Sequence, residues 1–289
     1  MKKIQYWMLT AILICGSTTI SAQDDNVANP YFTSDEMPDM EIFLPGPPDS
    51  TSVAFMNDVA RYYWGKEMRK DPERAAEATR DAVYGLATIL TEFEEAFGMK
   101  ISMEETPEIY KVLRDGTATC DSICVNAKAN YMRRRPFMVF NEPTLYPQDE
   151  ENLRKNGSYP SGHTILGWSS ALLMSEINPD NATEILARGY RYGENRLVVG
   201  AHWQSDTDAG RLAASAAYAR LHTNERFLEQ MKKAREEFKA LQTNPSAVRS
   251  AKVMESNKSN VTAYTLQGTP ANSDTRGIVI ENSRKVLRK

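Results

Sequence analysis

Histidine and cysteine are scarce in this chain, three of each in 289 residues. No divalent-metal ligand set can be assembled from them: Cys120 and Cys124 form a Cys-x3-Cys pair without neighbouring histidines, a poor zinc site, so neither metal nor cofactor is expected. Past the N-terminus no segment is apolar enough to span a bilayer. The formal net charge of −3 gives no basic footprint for nucleic acid. Alternating strand patterns of useful length are also missing between about residues 50 and 242, and their absence excludes a sheet-based core.

What is present begins with "MKKIQYWMLTAILICGSTTISAQDDN": two lysines, an apolar run shorter than a spanning helix, then small residues ending in Ile20-Ser21-Ala22. This reads as a cleavable secretory signal over residues 1–22, with export to the periplasm. Its removal takes Lys2 and Lys3 and leaves a net charge of −5. Cys120 and Cys124 would then be the only cysteines in an oxidising compartment, although four-residue spacing inside a regular helix fits disulfide geometry poorly. Through "FLPGPPDS" the chain reads as an extended lead-in.

From there the periods are helical. Asp71-Pro72 offers an N-cap and first-turn proline, and Val83, Leu86, Leu90, Phe93 and Phe97 recur at three- and four-residue spacing before Gly98 closes the helix. Similar patterns cover 52–67, 107–114, 121–134, 163–176, 182–197, 204–221 and 225–241, so residues 23–242 are expected to form an all-α bundle of about eight helices. Residues 243–289 lose the periodicity and are basic, holding eight Lys or Arg against three Asp or Glu. They read as a solvated appendage or a docking tail, in which "GIVIENSRKVLRK" could close as either strand or helix.

Three clusters carry chemistry. In "KANYMRRRP" Lys128 and Arg135 lie seven apart, a spacing that places both on one face of a helix ended by Pro136. In "PSGH" Ser161 and Gly162 stand at a helix start, where unpartnered N–H groups and the helix dipole favour an anion, and His163 beside them could move a proton. In "NRLVVGAHWQSD" Arg196 precedes His202 by six, and Asp206 follows His202 by four. At that spacing the carboxylate can hold one ring nitrogen and leave the other facing a substrate, as a nucleophilic histidine requires. Arginine forks, an ammonium, a hydroxyl and amides match the oxygens of a tetrahedral oxyanion, and the chemistry they point to is phosphoryl transfer through histidine. His222, after a helix-like run, reads as a residue favoured by the dipole at a helix C-terminus.

The motifs Lys-x6-Arg-Pro at 128–136, Pro-Ser-Gly-His at 160–163 and Arg-x5-His-x3-Asp at 196–206 resemble the signature of the type 2 phosphatidic acid phosphatase and vanadium haloperoxidase superfamily. "NGSYPSGHT", "EINPDNATEILARGYRYGENR" and "HWQSDTDAGRLAAS" resemble its bacterial class A non-specific acid phosphatases over about residues 40–240. The resemblance implies a compact helical bundle and a secreted, metal-independent phosphatase acting on small-molecule phosphate monoesters, with phosphate passed on to alcohols as a further activity. Lys128, Arg135, Ser161, Gly162 and Arg196 would bind phosphate, His202 would be the nucleophile, Asp206 would orient it and His163 would protonate the leaving alcohol. It also implies a homo-oligomer. The alternatives are a vanadate-dependent haloperoxidase and a non-catalytic phosphate-binding envelope protein. Asn195 departs from the serine usual before the third-motif arginine; as a donor to an oxyanion it is expected to tune the site.

Overall fold

The computed structural model describes residues 27–243 and four short stretches of the tail. The leader expected at 1–22 lies outside the described residues. The first helices are α1 (Met40–Phe43), α2 (Val53–Met68), α3 (Pro72–Arg80), α4 (Leu86–Glu92), α5 (Glu94–Phe97) and α6 (Pro107–Asp121). Three short ones follow: α7 (Val125–Tyr131), α8 (Pro136–Phe140) and α9 (Glu150–Arg154). Four long ones close the body: α10 (Gly162–Ile177), α11 (Ala182–Val199), α12 (Gln204–Leu221) and α13 (Glu225–Thr243).

The body is all-α, as expected. The tail holds the strand alternative: β1 (Ala263–Thr265), β2 (Pro270–Ala271), β3 (Gly277–Glu281) and β4 (Arg284–Arg288) pair antiparallel in the order β2-β1-β3-β4, with Val279 opposite Val286. The other tail residues lie outside the described set.

The bundle is organised around α10, whose sequence is apolar or small on every side and therefore has to be enclosed. Helices α6, α11, α12 and α13 all pack on it. Leu166, Ala171, Leu173, Met174 and Ile177 are buried. On α13, Phe227, Met231, Ala234 and Phe238 recur at spacings of four, three and four and present one buried stripe to this core. The lead-in expected to be extended holds a 3-10 turn at Ser34–Glu36 and the short helix α1, and it is tied on by Tyr31, whose N–H donates to Thr119 Oγ1 at 2.9 Å and whose ring stands edge-on to Phe227.

The helix expected from Pro72 to Gly98 is broken into three. Asp81, just past α3, accepts from Arg188 at 2.6 and 3.0 Å and from Asn195 at 2.6 Å, which draws the chain against α11. Gly85 then takes φ 139°, a conformation open to glycine, and the chain re-enters helix as α4. Val83, read as part of the apolar stripe, is instead 46% exposed, whereas Phe93 and Phe97 are fully buried.

The crossing of α10 and α11 sets the site, because one helix delivers His163 at its start and the other Arg196 near its end. It depends on small residues: a Cβ placed on Gly189 would lie 2.4 Å from the Ala171 Cβ. Gly189→Ala is therefore expected to push the two helices apart and to cost about 1–3 kcal/mol, read as a fall of several degrees in Tm. An unchanged melting curve would show that the crossing is not close-packed at this point.

Candidate active site

A cavity of 640 Å³ opens where the start of α10 and the segment before α12 meet α7, α9 and the turn joining α7 to α8. Lys128, Arg135, Gly162, His163 and His202 line it, together with Tyr84 and Asp121. Ser161 adjoins Gly162, Asp206 meets the His202 ring, and Arg196 lies near enough to both histidines to disfavour their charged form. All eight residues marked by the sequence are thus brought to one place, though not all by the expected route.

Pro136 does not end the helix that carries Lys128; it opens another. Helix α7 stops at Tyr131, Met132 turns left-handed with φ 40°, and Arg135 stands in extended conformation as the N-cap of α8. The two cations converge through this turn, and both donate to Gly157 O, Lys128 Nζ at 3.1 Å and Arg135 Nη2 at 3.2 Å. Apart from one contact to His202, Arg135 is held by carbonyls: Nε donates to Leu153 O at 2.9 Å and Asn156 O at 3.2 Å, and Nη1 to Ala201 O at 3.1 Å. It has no carboxylate partner among the described residues. Buried Arg196 goes further, because its Nε and Nη1 have no hydrogen-bond partner there at all. Burial is the main reason that Lys128 is pushed down to about 8 and both guanidiniums to about 10. A buried cation without a counter-charge is costly, and an anion set among these three would relieve it.

Ser161 is the N-cap of α10, its Oγ accepting from Thr164 N at 3.2 Å and Thr164 Oγ1 at 3.0 Å. Those bonds occupy its lone pairs and leave the hydroxyl proton free to donate. Its own N–H donates to Asp206 O at 3.0 Å, which locks the starts of α10 and α12 together.

His202 and Asp206 do not share a helical turn. His202 precedes the Trp203 N-cap, and Asp206, in the first turn of α12, folds back to accept from Trp203 N at 2.8 Å and to meet His202 Nδ1 at 3.2 Å. The other ring nitrogen, Nε2, lies 2.9 Å from Arg135 Nη1. Guanidinium can only donate, so Nε2 carries the lone pair and Nδ1–H points to the carboxylate. This leaves a nucleophilic nitrogen beside a cation that can pass to an oxyanion. His163 Nε2 meets Ala82 O at 3.0 Å; a carbonyl only accepts, so Nε2 carries the hydrogen and Nδ1 remains for proton exchange. The break between α3 and α4 supplies that carbonyl and also sets Tyr84 edge-on to the His163 ring at 4.8 Å.

Both histidines are held well below the ordinary imidazole value. For His163 burial is the main cause, followed by Arg196; for His202 it is burial, then Arg135, Lys128 and Arg196.

Sequence reasoning missed Arg133 and Asp58. Arg133 donates to Asp206 Oδ1 at 2.5 Å, to Asp58 Oδ2 at 2.7 Å and to Ser205 Oγ at 2.8 Å; both carboxylates are fully buried. Three consecutive arginines precede Pro136, and residue spacing does not tell which faces the cavity and which the aspartates. Asn195 was expected to face the oxyanion and does not. Its amide donates to Glu77 and Asp81 and its carbonyl accepts from Arg74, so it braces α11 against α3. Cys120 and Cys124 are unpaired and buried. His222 bonds Tyr218 O and Glu176 at the far end of α12, in keeping with a structural role. Among the described residues, no group of three or more His, Cys, Asp or Glu could hold a metal ion, and no helix is long and apolar enough to cross a membrane.

Residues 116–226 match the PAP2 superfamily. The chain is 43% identical over 212 residues to a non-specific acid phosphatase of Providencia stuartii, covering 73% of this chain and 85% of that protein. It is 40% identical over 209 residues to a non-specific acid phosphatase of Salmonella typhimurium, covering 72% and 83%. To an acid phosphatase of Zymomonas mobilis it is 36% identical over 238 residues, covering 82% and 89%.

The depressed histidines yield an expectation about anion binding. Sulfate stays dianionic between pH 7.5 and 5, and a dianion beside a depressed imidazole raises its pKa, so binding draws in a proton. Uptake of a proton on binding means that affinity rises as pH falls, by about tenfold per pH unit where one proton is taken up. Calorimetric titration of sulfate across this range checks it; a flat profile would show that neither histidine is coupled to the anion.

Proposed function

The chain belongs to the non-specific acid phosphatases of the PAP2 superfamily, and on that premise we propose that it hydrolyses small phosphate monoesters through a phosphohistidine on His202. The observation that carries the proposal is the convergence of Lys128, Arg135 and Arg196, none with a carboxylate partner among the described residues, around an imidazole whose Nε2 lone pair is held only by Arg135 Nη1, a donor that an incoming oxyanion would draw away.

In the proposed cycle the phosphoryl oxygens take the donors of the three cations, the Ser161 hydroxyl and the amides at the start of α10. His202 Nε2 forms a bond to phosphorus while the P–O ester bond breaks, and Asp206 stabilises the charge that develops on the ring through Nδ1–H. The departing alkoxide takes a proton from His163. Water then attacks the phosphohistidine, His163 accepts the water's proton, and the P–N bond breaks to release phosphate. When a second alcohol replaces water, the same step transfers the phosphoryl group, which makes phosphotransferase activity part of the proposal. Residues 1–22 would export the protein to the periplasm, leaving 23–242 as the catalytic body and 243–289 as a basic tail. Assembly as a homo-oligomer is supported by Ile42, Val53 and Met56, apolar residues 84%, 81% and 66% exposed on the first two helices.

The chemistry assigned here needs no metal. Activity on an aryl phosphate is expected to survive EDTA and to be inhibited competitively by vanadate; loss of activity on chelation, restored by Mg²⁺ or Zn²⁺, would overturn that assignment. The two histidines are separable by leaving group. His202→Ala is expected to lose at least about 10³-fold in kcat on every substrate. His163→Ala should lose about 10²–10⁴-fold on an alkyl phosphate and far less on p-nitrophenyl phosphate, whose anion departs without a proton. Rapid-quench trapping in the wild type should find the phosphoryl label on His202, and a label on His163 would reverse the roles.

A further inference from the structure

Asp121 has no part in the cycle above, yet it lines the same cavity. Its Oδ1 is buried and has no hydrogen-bond partner among the described residues. Burial raises the carboxyl above its ordinary value, against the lowering effects of the Tyr84 hydroxyl and Lys128. A buried oxygen left without a bond is costly to a fold and calls for a partner that arrives from outside.

The space that such a partner would take is set by Gly162. A methyl-sized group on that glycine would stand 3.6 Å from Asp121 Oδ1, 3.7 Å from Lys128 Cε and 4.0 Å from the Tyr84 hydroxyl, all ordinary contacts. The glycine therefore leaves a niche for one small group, and one of its walls is a bare carboxyl oxygen. The niche adjoins His163, the neighbour of Gly162 in the chain and the residue whose ring carries Tyr84 on its edge. It thus sits on the side where the leaving alcohol would take its proton. A carboxyl bonds a hydroxyl in either protonation state, accepting when ionised and donating when protonated. An anionic substituent would be repelled by the ionised form, and an apolar one would leave the oxygen unpartnered.

Resting on the phosphohistidine reading, we infer that Asp121 is a specificity-determining residue, its Oδ1 bonding a second hydroxyl on the leaving alcohol, next to the ester carbon. The favoured substrates are then phosphate monoesters of polyols and sugars, ahead of simple alkyl esters and of esters that carry a second anion. The same contact would orient a polyol as phosphoryl acceptor.

The test compares 2-hydroxyethyl phosphate with 2-methoxyethyl phosphate, whose leaving groups are of similar basicity and differ in the hydroxyl donor. Wild-type enzyme should prefer the hydroxyethyl ester in kcat/KM by about tenfold, the worth of one hydrogen bond to a carboxyl. Asp121→Ala should bring that ratio close to one, and Asp121→Asn, whose amide still bonds a hydroxyl, should keep part of it. A wild-type ratio near one, or an Asp121→Ala ratio equal to wild type, overturns the inference. Loss of all turnover on both esters by both variants also overturns it, since a leaving-group contact is not required for cleavage. The phosphohistidine reading fails separately, if trapped label is absent from His202, whatever the ratio does.

Discussion

The site depends on how three buried cations are accommodated without being neutralised. A guanidinium taken out of water costs several kcal/mol unless something replaces its hydration. Around Arg135 the replacement is backbone: the carbonyls of Leu153, Asn156, Gly157 and Ala201 accept its protons. Carbonyl dipoles stabilise the cation and leave its charge in place, whereas a carboxylate would cancel it and compete with any incoming anion. Two of the acids nearby are kept occupied elsewhere. Asp206 is divided among His202, Trp203 N and Arg133, and Asp58 takes the other arm of Arg133. Arg133 therefore takes Asp58 and Asp206 away from Lys128 and Arg135, and the segment from Lys128 to Pro136 carries both cations without a carboxylate and one that has two.

The same division explains the departure at Asn195. Glu77, Asp81 and Glu194 form a second charged network with Arg74, Arg188 and Arg191 on the outer side of α11. Asn195 joins that network with its whole amide, next in sequence to an arginine that faces the other way. Helix α11 thus presents Arg196 to the cavity and Asn195 to the scaffold, and one helical step of about 100° is enough to separate the two environments. Because Asp81 also breaks the helix after α3, this outer network determines where Ala82 O and Tyr84 stand. The carbonyl that fixes the His163 tautomer is thereby tied to a cluster of charges on the opposite side of α11.

Much of this was legible in the sequence, because three-and-four periodicity and motif spacing are local signals. Helices α10, α11, α12 and α13 follow the apolar repeats within a few residues, and the eight candidate residues meet at one cavity. What could not be read were features decided by partners distant in the chain. Asp81 breaks a periodic stretch only because Arg188 and Asn195, over a hundred positions away, take its carboxylate. Lys128 and Arg135 have helix-compatible spacing, but the left-handed turn at Met132 brings them together by another path. Asp58 in "FMNDVARYY" looks like any polar residue on an amphipathic helix until Arg133 and Ser205 are seen against it. In "MRRRP" only the arginine beside the proline matched a motif, and the buttressing one carried no local mark.

The cations act on the histidines and, in the proposed cycle, on phosphate as well, and the two effects combine. Burial first, and then a field of one sign, disfavour imidazolium at both His202 and His163. For the proposed nucleophile this is an advantage in acid, because Nε2 keeps its lone pair at a pH where an ordinary histidine has lost it. For the proposed acid it is a handicap, since His163 must hold a proton to release an alcohol. A bound phosphate monoester dianion resolves the conflict by offsetting the positive field, which lets His163 take up its proton as the substrate arrives, while His202 Nε2, aimed at phosphorus, has its lone pair committed to attack. In the proposed cycle the phosphoryl group is still present after the ester bond breaks, now on His202, so His163 returns to the same field with its proton gone and would serve as base to water. On the proposed mechanism the reacting group itself supplies the charge that sets the proton on His163, and acid-range activity follows from burying both histidines beside cations that no carboxylate pairs.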